Sequence, residues 1–124
     1  MTPRLSRSEL WSENTQFYRD LISIHKYDQG PMLDLLPQLE RAGFFEKYYP
    51  SNSHEELGIS TEQSYEKRMD KWMVSISYVS GKQMFVVYYL KEQGQIVMEE
   101  YCGSTISAEI LAKTDKWLRG QSGS

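Results

Sequence analysis

The chain has 124 residues, 40% of them apolar, and a formal net charge of −3 from 14 bases and 17 acids. That length suits a single α+β domain over 1–124, and the apolar content is too high for a disordered chain. The negative balance argues against nucleic acid, which needs a basic face to neutralise phosphate.

The lone cysteine, Cys102, leaves no internal disulfide, so a reducing compartment is expected. No apolar run approaches the roughly 18 residues of a membrane span. Glu9 and Glu13 do not belong in a signal peptide. The expectation is a soluble, cytoplasmic protein with no membrane contact.

Residues 1–5 should be loose. Ser6 and Glu9 then stand at capping-box spacing, where each side chain accepts the other residue's backbone N–H. Leu10, Trp11, Asn14, Phe17, Tyr18, Leu21, Ile22 and His25 recur at steps of three and four, predicting an amphipathic helix over 8–26. Gly30-Pro31 stops it. A second helix over 31–42 carries Met32, Leu33, Leu35, Leu36 and Leu39, and Pro37 should kink or divide it. Phe44, Phe45, Tyr48 and Tyr49 pack nearby.

Residues 51–58, polar and containing a glycine, read as a loop. A third helix is expected over 61–70, capped by Ser60 with Gln63 and burying Tyr65 and Met69; an extended edge strand is the alternative. Between Asp34 and Asp70 stand eight acids and four bases. That acidic middle is either a solvated face or a surface for a basic partner.

The next stretch sets the fold. Residues 72–79 alternate with period two, 83–91 are apolar or aromatic almost throughout, and 95–102 complete a three-stranded antiparallel meander. A two-residue hairpin at Ser80-Gly81 would pair Val79 with Lys82, and a three-residue loop ending in Gly94 would pair Lys91 with Gln95. One face then carries Trp72, Val74, Ile76, Tyr78, Phe85, Val87, Tyr89, Val97, Glu99 and Tyr101. The other carries Met73, Ser75, Ser77, Val79, Met84, Val86, Tyr88, Leu90, Ile96, Met98, Glu100 and Cys102. Because the central strand is apolar on both sides, each face should need a cover. Residues 31–49 or another protein would shield the second.

A last helix over 106–119, capped by Ser104, Thr105 or Ser107, presents Ile106, Ile110, Leu111, Thr114, Trp117 and Leu118. Residues 121–124 should fray.

The search for chemistry returns little. His25, His54 and Cys102 have no metal-ligand spacing, and no Gly-x-Ser-x-Gly turn or glycine-rich phosphate cradle occurs. No catalytic residue, metal or cofactor is therefore assigned. Adjacent strand residues Glu99 and Glu100 point to opposite faces, so they do not form an acid–base pair.

Tyrosine and methionine are the unusual ingredients, combining contact area with adaptability. The leading reading is a non-catalytic protein of inhibitor, immunity, adaptor or assembly-factor type. It would bind another protein, a basic one if the acidic middle takes part, through Met73, Met84, Tyr88, Met98 and Glu100. The rival is a small-ligand pocket or enzyme using Glu99, Tyr101 and Tyr89. A homodimer through the second face or an edge strand is a third reading.

Overall fold

The computed structural model describes residues 5–120. The loose ends expected at 1–5 and 121–124 lie outside the described residues except for Leu5, which is half-buried and whose carbonyl accepts from Gln63.

The N-terminal capping box forms as the spacing requires: the Ser6 side chain accepts from the Glu9 N–H, and the Glu9 carboxylate accepts from the Ser6 N–H. It opens α1, Arg7–Ser23. Helix α2 spans Gly30–Arg41 and contains Pro37 without dividing. Pro37 lies on the exposed side of the helix. Gly43, at φ 89°, turns the chain into the single-turn α3, Phe44–Lys47.

The segment expected to be a loop is instead a hairpin. Strands β1, Tyr49–Ser53, and β2, Glu56–Ser60, pair antiparallel around His54-Glu55, with His54 in the left-handed region at φ 57°. The expected helix over 61–70 shrinks to one turn, α4, Tyr65–Arg68, whose cap is Ser64 rather than Ser60. Tyr65 is exposed instead of buried.

Strands β3, Met73–Val79, β4, Met84–Lys91, and β5, Gln95–Cys102, follow the meander. The sheet therefore has five strands, in the order β1-β2-β3-β4-β5, instead of three. Helix α5, Ala108–Gly120, closes the fold, with the Ser107 hydroxyl accepting from the Ile110 N–H.

Register departs from expectation at two places. The β3–β4 loop has four residues, pairing Val79 with Met84, and positive φ falls on Gln83 rather than Gly81. This moves the pairing by two residues, so every β4 side chain keeps its expected face. At β5, Lys91 pairs with Gln95 as expected, but an irregularity beside Leu90 leaves Val97 unpaired. From there on, Tyr89 faces Met98, Tyr88 faces Glu99, and Val87 faces Glu100. An extra residue in a period-two strand exchanges its faces. Met98, Glu100 and Cys102 consequently join the aromatic face, while Glu99 and Tyr101 leave it.

That aromatic face is the core. Leu57, Ile59, Val74, Ile76, Phe85, Val87 and Tyr89 form one cluster with Trp11 and Tyr18 of α1, Met32, Leu35 and Leu39 of α2, and Leu111 and Leu118 of α5. Polar tips are anchored to backbone. The Trp11 indole donates to the Tyr48 carbonyl at 3.0 Å, and the Tyr18 hydroxyl donates to that of Glu55 at 2.9 Å. The Trp117 indole lies within hydrogen-bonding distance of the Met73 and Leu90 carbonyls. Buried Cys102 belongs to this cluster, and burial followed by the nearby Glu100 charge pushes its thiol pKa up.

Candidate functional site

Period-two geometry puts Met73, Ser75, Ser77, Met84, Val86, Tyr88 and Leu90 on the side of the sheet away from the core. The cover expected from residues 31–49 is not there: α2 and Phe44 pack into the core on the aromatic face. Among the described residues the α4 segment leans over one end of the second face, its Tyr65, Arg68 and Met69 lining a cleft with residues of β1 to β4, and α4 buries none of its own residues. On β5 the outer side chains Ile96, Glu99 and Tyr101 meet solvent, with Tyr101 68% and Ile96 52% exposed, while on β4 Met84, Tyr88 and Leu90 are half-buried.

Cross-strand pairing gives this surface a definite pattern. Ser51, Gly58, Ser75, Tyr88 and Glu99 form one row across all five strands. In the adjoining row, Val86 lies between Ser77 and Tyr101. Val86 is 2% exposed although it stands outside the core cluster.

The small end of the first row has a structural cause. A Cβ on Gly58 would meet the Ser51 hydroxyl at 2.5 Å, so glycine is needed for the close approach of β1. Beside it, a cleft of about 280 Å³ opens between sheet and α4, lined by Gly58, Ser75, Met73, Leu90, Tyr65 and Arg68 among others. The Arg68 guanidinium lies 5.2 Å over the Tyr65 ring at its rim.

Two carboxylates bracket the aromatic part of the open face. Glu56 accepts from the Ser75 hydroxyl at 3.1 Å, and Glu99 accepts from the Tyr101 hydroxyl at 2.7 Å. Tyr88 sits between them, its pKa raised first by partial burial and then by the charges of Glu56 and Glu99. The bond to Glu99 likewise raises the Tyr101 phenol.

The residues singled out from the sequence are thus divided. Met73, Met84 and Tyr88 share the open face, as expected. Met98 and Glu100 lie on the core face instead, Met98 packed against the cluster and Glu100 ion-paired with Lys113 of α5. Lys113 also sits 5.5 Å over the Tyr89 ring. Of the alternative set, Glu99 and Tyr101 are together on the open face, whereas Tyr89 is fully buried on the other side. Burial, then the Glu100 charge, holds the Tyr89 phenol proton well above its usual range. Among the described residues, no three histidines, cysteines or carboxylates stand close enough to hold a metal ion, and no helix is long and apolar enough to cross a membrane.

Sequence reasoning missed Glu56 and Gly58, because their strand was taken for a loop. The available signal was Leu57 and Ile59, two apolar residues with period two that are both fully buried. Compared with protein-family models, curated proteins and solved structures, the chain matches none.

Proposed function

We propose that this chain works by binding another protein through the open face of its sheet, as an inhibitor, immunity, adaptor or assembly factor would, with no catalysis of its own. The observation carrying the reading is the contrast between what β4 presents and what covers it. Its outer positions are Met84, Val86, Tyr88 and Leu90, a composition suited to burial; Val86 is buried and the other three are half-buried, although the helices of the core cluster pack on the other side. Exposed Ile96 and Tyr101 of β5 carry that face out to solvent, and contiguous exposed apolar surface commonly marks an interaction site. Tyrosine and methionine are well matched to protein contacts because they pair contact area with a polar tip or a flexible thioether.

Photo-crosslinking tests this directly. A crosslinking residue in place of Tyr88 should yield discrete adducts with a second protein in the native host, whereas one in place of exposed Glu109 on α5 should not. Adducts from position 109 alone, or from neither position, would contradict the reading.

A further inference from the structure

The open face has a charge pattern that narrows its partner, on the reading that this face docks a protein. Among the described residues the hydrogen bonds of its two carboxylates, Glu56 and Glu99, come from hydroxyls, those of Ser75 and Tyr101. Among the described residues, ion pairs form elsewhere: Lys113 with Glu100, and Lys47 and Arg119 with Asp115. Glu56 on β2 and Glu99 on β5 are separated by three strand spacings, roughly 14 Å across the sheet, and by two residues along it. The ground between them is serine, valine and tyrosine, with the Tyr88 and Tyr101 rings on the Glu99 side.

A carboxylate accepting from a neutral hydroxyl still has lone pairs free, and covering it with an uncharged surface would strip its water without compensation. A cation answers that cost. Arginine suits the site better than lysine, because its planar guanidinium both forks onto a carboxylate and stacks on a tyrosine ring. A second copy of this chain is a poor occupant. Symmetric pairing of the faces would bring four carboxylates into one interface, and juxtaposed like charges cost on the order of several kcal/mol.

We infer that the open sheet face is a docking site for an arginine-bearing protein segment. Its guanidinium groups pair with Glu56 and Glu99, and the stems of its side chains lie across Tyr88 and Tyr101. Two cations about 14 Å apart would correspond in an extended segment to residues four apart, which face the same side.

The test is selection of a randomised peptide library on the folded chain, with binders mapped by backbone amide shifts. The expected consensus is rich in arginine, the shifted amides centre on Ser75, Tyr88, Glu99 and Tyr101, and the double variant Glu56→Gln with Glu99→Gln binds the selected peptides about tenfold more weakly or worse. Replacing arginine by lysine in the best peptide should lose part of that affinity, and replacing it by glutamate all of it. Acidic or uncharged consensus sequences would overturn the inference. So would basic peptides that bind the double variant equally well, a failure to enrich any peptide on this face, or a dimer of the free chain that Tyr88→Ala dissociates.

The Tyr88 crosslink separates this inference from the reading beneath it. Protein adducts at position 88 combined with peptides indifferent to Glu56 and Glu99 would remove the charge argument and leave the docking face standing. Absence of adducts would remove both.

Discussion

The two faces of the sheet are built from similar residues and meet different fates. On one, Val74, Ile76, Val87 and Tyr89 are fully buried beneath helices. On the other, Met84, Val86 and Tyr88 alternate with them along the same strands, yet the α-helical layer lies elsewhere. Adjacent Tyr88 and Tyr89 show the contrast most sharply, since one peptide bond separates a fully buried residue from a half-buried one. Apolarity in a strand thus records that a face is to be covered, without recording by what. A face left open in the isolated chain is where a partner can supply the missing layer.

The largest expected effect comes from testing that pair. Tyr89→Ala removes a fully buried ring that meets Trp117 edge-on at 5.5 Å, and should cost about 3–5 kcal/mol. Tyr88→Ala should cost about 1 kcal/mol or less. Denaturant unfolding with equal slopes checks both; comparable losses would erase the distinction between the faces.

Alkaline titration probes the same division. Burial holds the phenols of Tyr18, Tyr48 and Tyr89 above their usual range, with Asp115 adding to the effect at Tyr48 and Glu100 at Tyr89. The unfolded chain releases these protons near pH ~10, while the folded chain retains them. Stability is therefore intact below that pH and falls as pH rises past it. Tyrosinate absorbance should show these three ionising only as the circular dichroism collapses. Ionisation of all nine tyrosines with unchanged dichroism would contradict their burial.

A smaller effect tests the bulge. Glu100→Ala breaks the ion pair with Lys113 at the edge of the core and should cost about 1 kcal/mol, whereas Glu99→Ala should change stability by less than about 0.5 kcal/mol. The reverse order would mean that β5 runs without its extra residue and that the faces are exchanged. Smallest is Gln83→Gly in the β3–β4 loop. Gln83 sits at φ 51°, where glycine is unstrained, so a gain of about 0.5–1 kcal/mol in thermal or denaturant unfolding is expected.

Much of this architecture is legible in the sequence because local periodicity produces it. The strands β3 to β5, the stripes of α1, α2 and α5, the Ser6–Glu9 cap and the left-handed Gly94 all follow from residue spacing. The β1–β2 hairpin was hidden because its apolar alternation is short, Leu57 and Ile59 alone entering the core from β2, amid polar residues and a glycine. Pro50 on edge strand β1 and Gly58 against Ser51 are residues that usually demote a strand, and here each occupies a place where the sheet accepts it. The bulge at Val97 was invisible for another reason. Nothing in Gln95–Cys102 alone marks which residue drops out of the ladder; docking of β5 against the core and α5 selects Glu100 for Lys113 and leaves Glu99 outside. That single slip reassigned four of the candidate residues, Met98, Glu99, Glu100 and Tyr101, to opposite faces.

The central claim is that the sheet is covered on one side and open on the other in the free chain. Hydroxyl-radical footprinting read by mass spectrometry tests it most directly, since the two sides carry oxidisable residues of the same types. Tyr101 should be modified readily and half-buried Tyr88 and Met84 more slowly in the isolated monomer, with Tyr89, Tyr18 and Met32 untouched until it unfolds. Protection of Tyr101 and Met84 in a chain shown to be monomeric would mean that the face is already closed, and the binding proposal would lose its surface.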